Sequence, residues 1–192
     1  MKHDFPDKII FLDIDGVINT TKYHFTKFDE ECMDNLLEII NKTNAKIVVS
    51  SSWRDEDNIR MKNNFTEHGF YESLWNKIID ITCRGYRYTI KGSNLPIVRG
   101  NEIKQWVDTH LKYPWHSNKD FDCFYRINNE DGSFKIMDSN KLNVDYSYLI
   151  LDDDNDMLYE QRNNFIQTDS LLGLSKEDIT KAIKILNYDT KN

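Results

Sequence analysis

Three short apolar runs, each stopping at a polar cluster, constrain this chain more than any other feature. Residues 9–12 (IIFL) run into Asp13 and Asp15, residues 46–49 (KIVV) into Ser50, Ser51, Ser52, Trp53 and Arg54, and residues 148–151 (YLIL) into Asp152, Asp153, Asp154 and Asp156. Runs this short and this uniformly apolar suit strands buried on both faces, the habit of parallel sheets covered by helices. Helical patterns lie between them. Met33, Leu36, Leu37, Ile39 and Ile40 recur at three-to-four spacing within residues 29–44, and Asp29, Glu30 and Glu31 stand at the end where the helix dipole favours negative charge. Further helices are expected over about 55–68, stopped by Gly69, from 99 or 100 through 111, and from 175 to about 187. A strand is expected over 165–167 and favoured over 86–90. Residues 92–96 read as a turn or loop, and 74–81 leaves helix and strand open. The alternation predicts an α/β fold: a doubly wound, Rossmann-like parallel sheet with helices on both faces and a small insertion.

Parallel strands in such a sheet bring their carboxyl ends to one edge, where ligands bind. Asp13, Asp15, Ser50 and Asp152 or Asp153 can therefore converge. Carboxylates crowded at one strand end call for a cation, and an all-oxygen donor set suits Mg²⁺, which keeps waters and reaches for phosphate oxygens. One aspartate near a phosphorus could attack it, and a neighbour two residues on could protonate the leaving oxygen and then activate water. An EF-hand is excluded, since neither acidic loop pairs the required glycine with a glutamate at its end.

A length of 192 residues suits one domain over 1–192, with an irregular insertion at about 112–147 too short for its own core. Within that insertion FDCFYRI and SFKIM, separated by NNEDG, suggest a hairpin. No apolar run approaches a membrane span, and MKHDFPDK lacks a signal-peptide core. Cys32, Cys83 and Cys123 are far apart without CxxC spacing, so they read as reduced thiols in a cytoplasmic protein. A net charge of −7 argues against a broad nucleic-acid footprint. Trp53, Trp75 and Trp106 read as core, and His68, His110 and His116 show no metal-ligand spacing.

FLDIDGV, IVVSSSWR and YLILDDDNDM, in that order on three strands, resemble motifs one, two and four of the haloacid dehalogenase (HAD) superfamily phosphatases. The resemblance implies a nucleophile at Asp13 and a general acid/base at Asp15, whose backbone carbonyl also contacts Mg²⁺. It implies a phosphoryl-binding hydroxyl at Ser50, with Ser51 close behind. A metal site of Asp13, Asp15 and Asp152 follows, with Asp153 as the rival ligand; Asp152 and Asp156 match the spacing of a G-D-x-x-N-D pattern. The third motif is usually a lysine. Arg99, in VRGNEIKQW, is the candidate here, with Lys104 and Lys91 as alternatives, and Arg54 is a further phosphate contact.

More narrowly, SSSWR, the RGxEIxxW helix and the DDD ending resemble a small HAD group associated with RNA-repair proteins. That implies a phosphorylated substrate that is either a small molecule or nucleotide, or a nucleic-acid end. The short segment between the first two motifs leaves no room for a large cap, so the insertion is the nearest thing to a lid. Two other functions fit less of the chain. A phosphoacceptor signalling domain needs an acceptor aspartate that the KIVVSSS strand end lacks, and a HAD phosphotransferase usually carries a substantial cap. Oligomeric state has no signature in the sequence.

Overall fold

A computed structural model of the chain describes residues 7–84, 88–90, 93–95, 97–112 and 146–188. Five strands, β1 (Lys8–Leu12), β2 (Lys46–Val49), β3 (Ile78–Ile81), β6 (Ser147–Asp152) and β7 (Phe165–Gln167), form one sheet in the order β3-β2-β1-β6-β7. All four pairings are parallel. The doubly wound sheet expected from the alternation is present. Its strand order reverses between β1 and β6, and the crevice at such a reversal is where open α/β sheets receive ligands.

The helices are α1 (Glu30–Thr43), α2 (Asn58–Glu67), α3 (Glu72–Trp75), α4 (Arg99–Val107) and α5 (Lys176–Leu186). Successive β1 side chains point to opposite faces, and the sequence supplies an apolar residue for each. Ile10 and Leu12 pack with Met33, Leu36 and Ile40 of α1 and Ile179 and Ala182 of α5, whereas Ile9 and Phe11 pack with Ile103, Trp106 and Val107 of α4. Each of these strand side chains is fully buried, and burial stabilises the fold by about 1.5–3 kcal/mol per large apolar side chain. The apolar run after Asp7 is thus a central strand with a core on each side.

Local chemistry explains where elements begin and end. Asp29 caps α1 by accepting from Glu31 N at 2.9 Å, and Asp57 caps α2 by accepting from Ile59 N and Arg60 N. That second cap delays α2 to Asn58, three residues after the expected start at 55. Residues 74–81 divide into the end of α3 and all of β3. The turn or loop expected over 92–96 is corrected at 93–95: β5 (Ser93–Leu95) pairs antiparallel with β4 (Tyr88–Ile90) and meets its backbone hydrogen-bonding needs there, while Gly92 and Pro96 lie outside the described residues. The helix expected through 111 is α-helical only to Val107 and continues as a π-turn over Asp108–Lys112. Asp178 accepts from both the hydroxyl and the backbone N–H of Ser175, closing the first turn of α5.

The reading of Cys83 as a reduced thiol is also corrected, because Cys83 is disulfide-bonded while Cys32 is free and buried. Distance along the chain does not bar a bridge; the fold decides which sulfurs meet. Most of the insertion at 112–147, with its expected hairpin and any lid role, lies outside the described residues, as does Lys91.

Candidate active site

The sheet register sets the three polar clusters side by side. Beyond the last residue of β1, Asp13 N still donates to Leu151 O at 2.9 Å, and Ser50 N donates to Leu12 O at 2.9 Å. Thr168 N donates to Asp152 O at 3.0 Å on the other flank. Asp13, Ser50 and Asp152 therefore end neighbouring strands at one level. Gly16 turns the chain directly after Asp15, with φ at +70°, a region that L side chains rarely adopt. A Cβ there would stand 2.2 Å from Asp153 Cγ. The glycine of DIDG is thus required twice, for the turn and for the room that Asp153 occupies.

Asp13, Asp152 and Asp153 each offer a carboxylate oxygen, and these oxygens all lie within 4.8 Å of one another. Asp13 is 7% exposed and Asp152 is 1% exposed. Burial is the main reason that Asp13 is pushed up to about 6, against the lowering pull of Arg99 and the Ser51 hydroxyl. Burial, followed by the charge of Asp13, pushes Asp152 up to about 8. Asp153 is also raised, by burial and then by Asp154. Acids placed so that each resists ionising beside the others are a set that a hard cation would satisfy.

The donors fit that ion. Asp152 spends Oδ1 on the backbone N–H of Asp154, at 3.0 Å, and leaves Oδ2 buried without a hydrogen-bond partner. Both members of the Asp152/Asp153 alternative are at the cluster. The carboxylate of Asp15 is not among the three oxygens; it receives Trp53 Nε1 on both oxygens at 3.0 Å and Asn19 Nδ2 on Oδ1 at 2.7 Å.

Arg99 stands across the acids from the first turn of α4. Its Nη2 lies 3.8 Å from Asp13 Oδ1, its Nε 3.7 Å from Asp152 Oδ2 and its Nη1 3.9 Å from Glu102 Oε2. All three are ion-pair separations beyond hydrogen-bond length, and Nη1 is buried without a hydrogen-bond partner. The guanidinium is held at its base: Arg99 N donates to Asp156 Oδ2 at 2.9 Å. Close packing beside it depends on Gly100, where a Cβ would meet Leu158 N at 2.6 Å. Lys104, the alternative cation, pairs with Asp108 at 2.9 Å and Glu160 at 3.3 Å.

The SSSWR tract divides its labour. Ser50 Oγ is buried without a hydrogen-bond partner, whereas the Ser51 hydroxyl accepts from Trp53 N at 3.2 Å and helps to lower the pKa of Asp13. Arg54, expected at the phosphate, is 6% exposed and paired: Nη2 reaches Glu102 Oε2 and Nη1 donates to Ser51 O, each at 2.7 Å. Only its Nε lacks a partner. Sequence reasoning missed Glu102, Asn19 and the hydrogen-bonding role of Trp53. Glu102 sits one turn after Arg99, the single spacing that could have flagged it; no such signal ties Trp53 to Asp15.

A family model described as the HAD domain in Swiss Army Knife RNA repair proteins matches residues 9–122. No curated protein and no solved structure matches the chain. No helix among the described residues is long and apolar enough to cross a membrane.

Proposed function

The chain belongs to this HAD family, whose chemistry is that of a phosphatase-type hydrolase, and from that premise we propose a Mg²⁺-dependent phosphomonoesterase that works through an aspartyl-phosphate on Asp13. The observation that carries the reading is the meeting of Asp13, Asp152 and Asp153 within 4.8 Å, with the Arg99 guanidinium 3.7–3.8 Å from the first two. The RNA-repair association of the family, together with a site free of any large cap between the first two motifs, favours a phosphorylated nucleic-acid end as substrate.

Asp13 attacks the phosphorus through one carboxylate oxygen while the bond from phosphorus to the ester oxygen breaks. Asp15 gives its proton to that leaving oxygen, then takes a proton from water as the water attacks phosphorus, releasing phosphate and restoring Asp13. Asp13, Asp152 and Asp153 would hold Mg²⁺, which when bound offsets their charge and that of the phosphoryl oxygens. Arg99 Nη1 and Ser50 Oγ, neither of which has a hydrogen-bond partner, are donors available to the equatorial oxygens.

The test is a panel of 3′- and 5′-phosphorylated oligonucleotides, mononucleotides and sugar phosphates, run with Mg²⁺ and with chelator. Phosphate release that needs the metal and is fastest on oligonucleotides is expected. Release unaffected by chelator would overturn the metal role, and preference for mononucleotides or sugar phosphates would overturn the substrate class.

A further inference from the structure

Asp15 is set apart from the other acids by what holds it. Its carboxylate lies between two donors from different parts of the chain, Trp53 Nε1 and Asn19 Nδ2. Neither donor is loosely placed. Asn19 is fully buried, its N–H donates to Ile14 O at 2.9 Å and its O accepts from Gly16 N at 2.8 Å, so the DIDG turn locks its backbone. The Trp53 indole meets His68 at 4.8 Å, Phe28 at 5.5 Å and Phe65 at 6.2 Å between ring centres, with His68 and Phe65 edge-on. Its backbone N–H is fixed on Ser51 Oγ at 3.2 Å.

The geometry points to Trp53, assisted by Asn19, as a positioning residue that aims Asp15 at the leaving group of the reaction proposed above, on which this inference rests. The indole N–H is shared between the two carboxylate oxygens, and only Oδ1 has a second donor. Oδ2 is thus the oxygen with capacity left. When Oδ2 carries the proton destined for the leaving oxygen, the N–H and Asn19 can both stay on Oδ1, and the carboxyl keeps its plane. After the proton has left, the same pair of donors holds Oδ2 ready to receive one from water. Without the indole N–H, one donor remains and the carboxyl can rotate about its Cβ–Cγ bond. Serine and arginine at a strand end could serve a phosphate in many chains; a tryptophan between them is explained by this contact.

The two roles open to Trp53, packing and aiming, separate by leaving group. Trp53→Phe keeps an aromatic ring against Phe28, Phe65 and His68 and deletes the donor. A poor leaving group, such as the terminal sugar hydroxyl of a phosphorylated oligonucleotide, needs its proton in the transition state, whereas p-nitrophenolate does not. Because kcat/KM reports the first chemical step, we expect Trp53→Phe to lower it on the order of 10- to 100-fold for the phosphorylated oligonucleotide and less than about threefold for p-nitrophenyl phosphate. In an Asp15→Asn background the same substitution should no longer change the ratio of the two, because the group being aimed is gone. Asn19→Ala, read in the same way, should give a smaller loss of the same pattern.

An equal fall for both substrates, or none for either, would overturn the inference, as would an undiminished effect in the Asp15→Asn background. Should Trp53→Phe not fold, Asn19→Ala decides by the same ratio. Wild-type protein that hydrolyses neither substrate would instead remove the phosphatase reading, and this inference with it.

Discussion

Two clusters of buried charge lie within one turn of α4 from each other and are built on opposite rules. Around Arg99 the distances to Asp13, Asp152 and Glu102 are 3.7–3.9 Å, and buried polar atoms on Arg99, Asp152 and Ser50 go without a hydrogen bond. Around Arg54 the contacts to Glu102 and Ser51 are 2.7 Å, and on the same face Trp106 Nε1 donates to Asp80 Oδ2 at 2.6 Å. The second set, the closed cluster, is hydrogen-bonded except at Arg54 Nε, whereas the first, the open cluster, holds its charges at ion-pair distance. A buried polar group without a partner costs about 1–3 kcal/mol, so an open cluster survives only where something else completes it. On the proposed function, the contrast separates residues that hold the fold from those that would meet the metal and the phosphate. Arg54, which the sequence alone places at the phosphate, holds Glu102 and Ser51 O and keeps only Nε without a partner.

The contrast is most easily broken at its centre. Asp13→Asn keeps the shape of the nucleophile and removes its charge, so phosphate release should fall on the order of 10⁴-fold or more while the melting temperature does not fall. Undiminished turnover in that variant would end the assignment of Asp13. Glu102→Ala should do the reverse in kind: it strands the Arg54 guanidinium, and breaking a buried pair costs about 3–5 kcal/mol of stability. Denaturant unfolding checks it. A loss under about 1 kcal/mol would mean that the Arg54–Glu102 pair behaves as a surface ion pair and that the closed cluster is not closed.

How much of this was legible beforehand follows the same division. The open cluster was readable because each acid stands directly after an apolar run, and parallel pairing leaves those ends no place but a common edge. β2 and β7 begin and end where the residue pattern places them; β2, buried from Ile47 to Val49, has little freedom in its limits. The closed cluster was not readable. Glu102 and Arg54 are 48 residues apart, Trp53 and Asp15 are 38, and only folding tells which cation meets which acid. Of the β4–β5 hairpin the first strand was readable from the aromatic and β-branched residues of 86–90, whereas Ser93–Leu95, written between a glycine and a proline, carries no strand signal and is settled only by its pairing with β4.

The open cluster should also be visible in how stability depends on pH. A carboxyl that rises from 3.8 to about 8 on folding, as Asp152 does, binds its proton more tightly in the folded chain. Its contribution is therefore greatest below 3.8 and is lost as pH climbs toward about 8; Asp13 acts in the same direction up to about 6. With chelator present, the melting temperature should fall from pH 5 to pH 8. Mg²⁺ should cancel that fall, since a cation at 100 times its dissociation constant adds about 2.7 kcal/mol. A melting temperature that rises over this range in chelator, or that ignores Mg²⁺, would count against the three acids as an ion site. The measurement needs no substrate.

The smallest effect sharpens the comparison furthest, because it asks whether a single cap belongs to the fold or to the site. Asp156 accepts the backbone N–H of Arg99, and Asp57 accepts those of Ile59 and Arg60 at the start of α2. Both are carboxylates at helix N-termini, and replacing either by alanine should cost about 1 kcal/mol. Only Asp156 restrains the residue whose guanidinium faces Asp13 and Asp152. Asp156→Ala should therefore add a loss of turnover of roughly three- to tenfold, with KM for a phosphorylated oligonucleotide rising, while Asp57→Ala changes melting temperature alone. Equal kinetics in the two variants would show that Arg99 keeps its aim without its cap, and that packing around Gly100 and Gln161 is sufficient to set it. The Gln161 amide already grips that turn from the other side, donating to Gly100 O at 2.9 Å, which is why the expected loss is modest rather than complete.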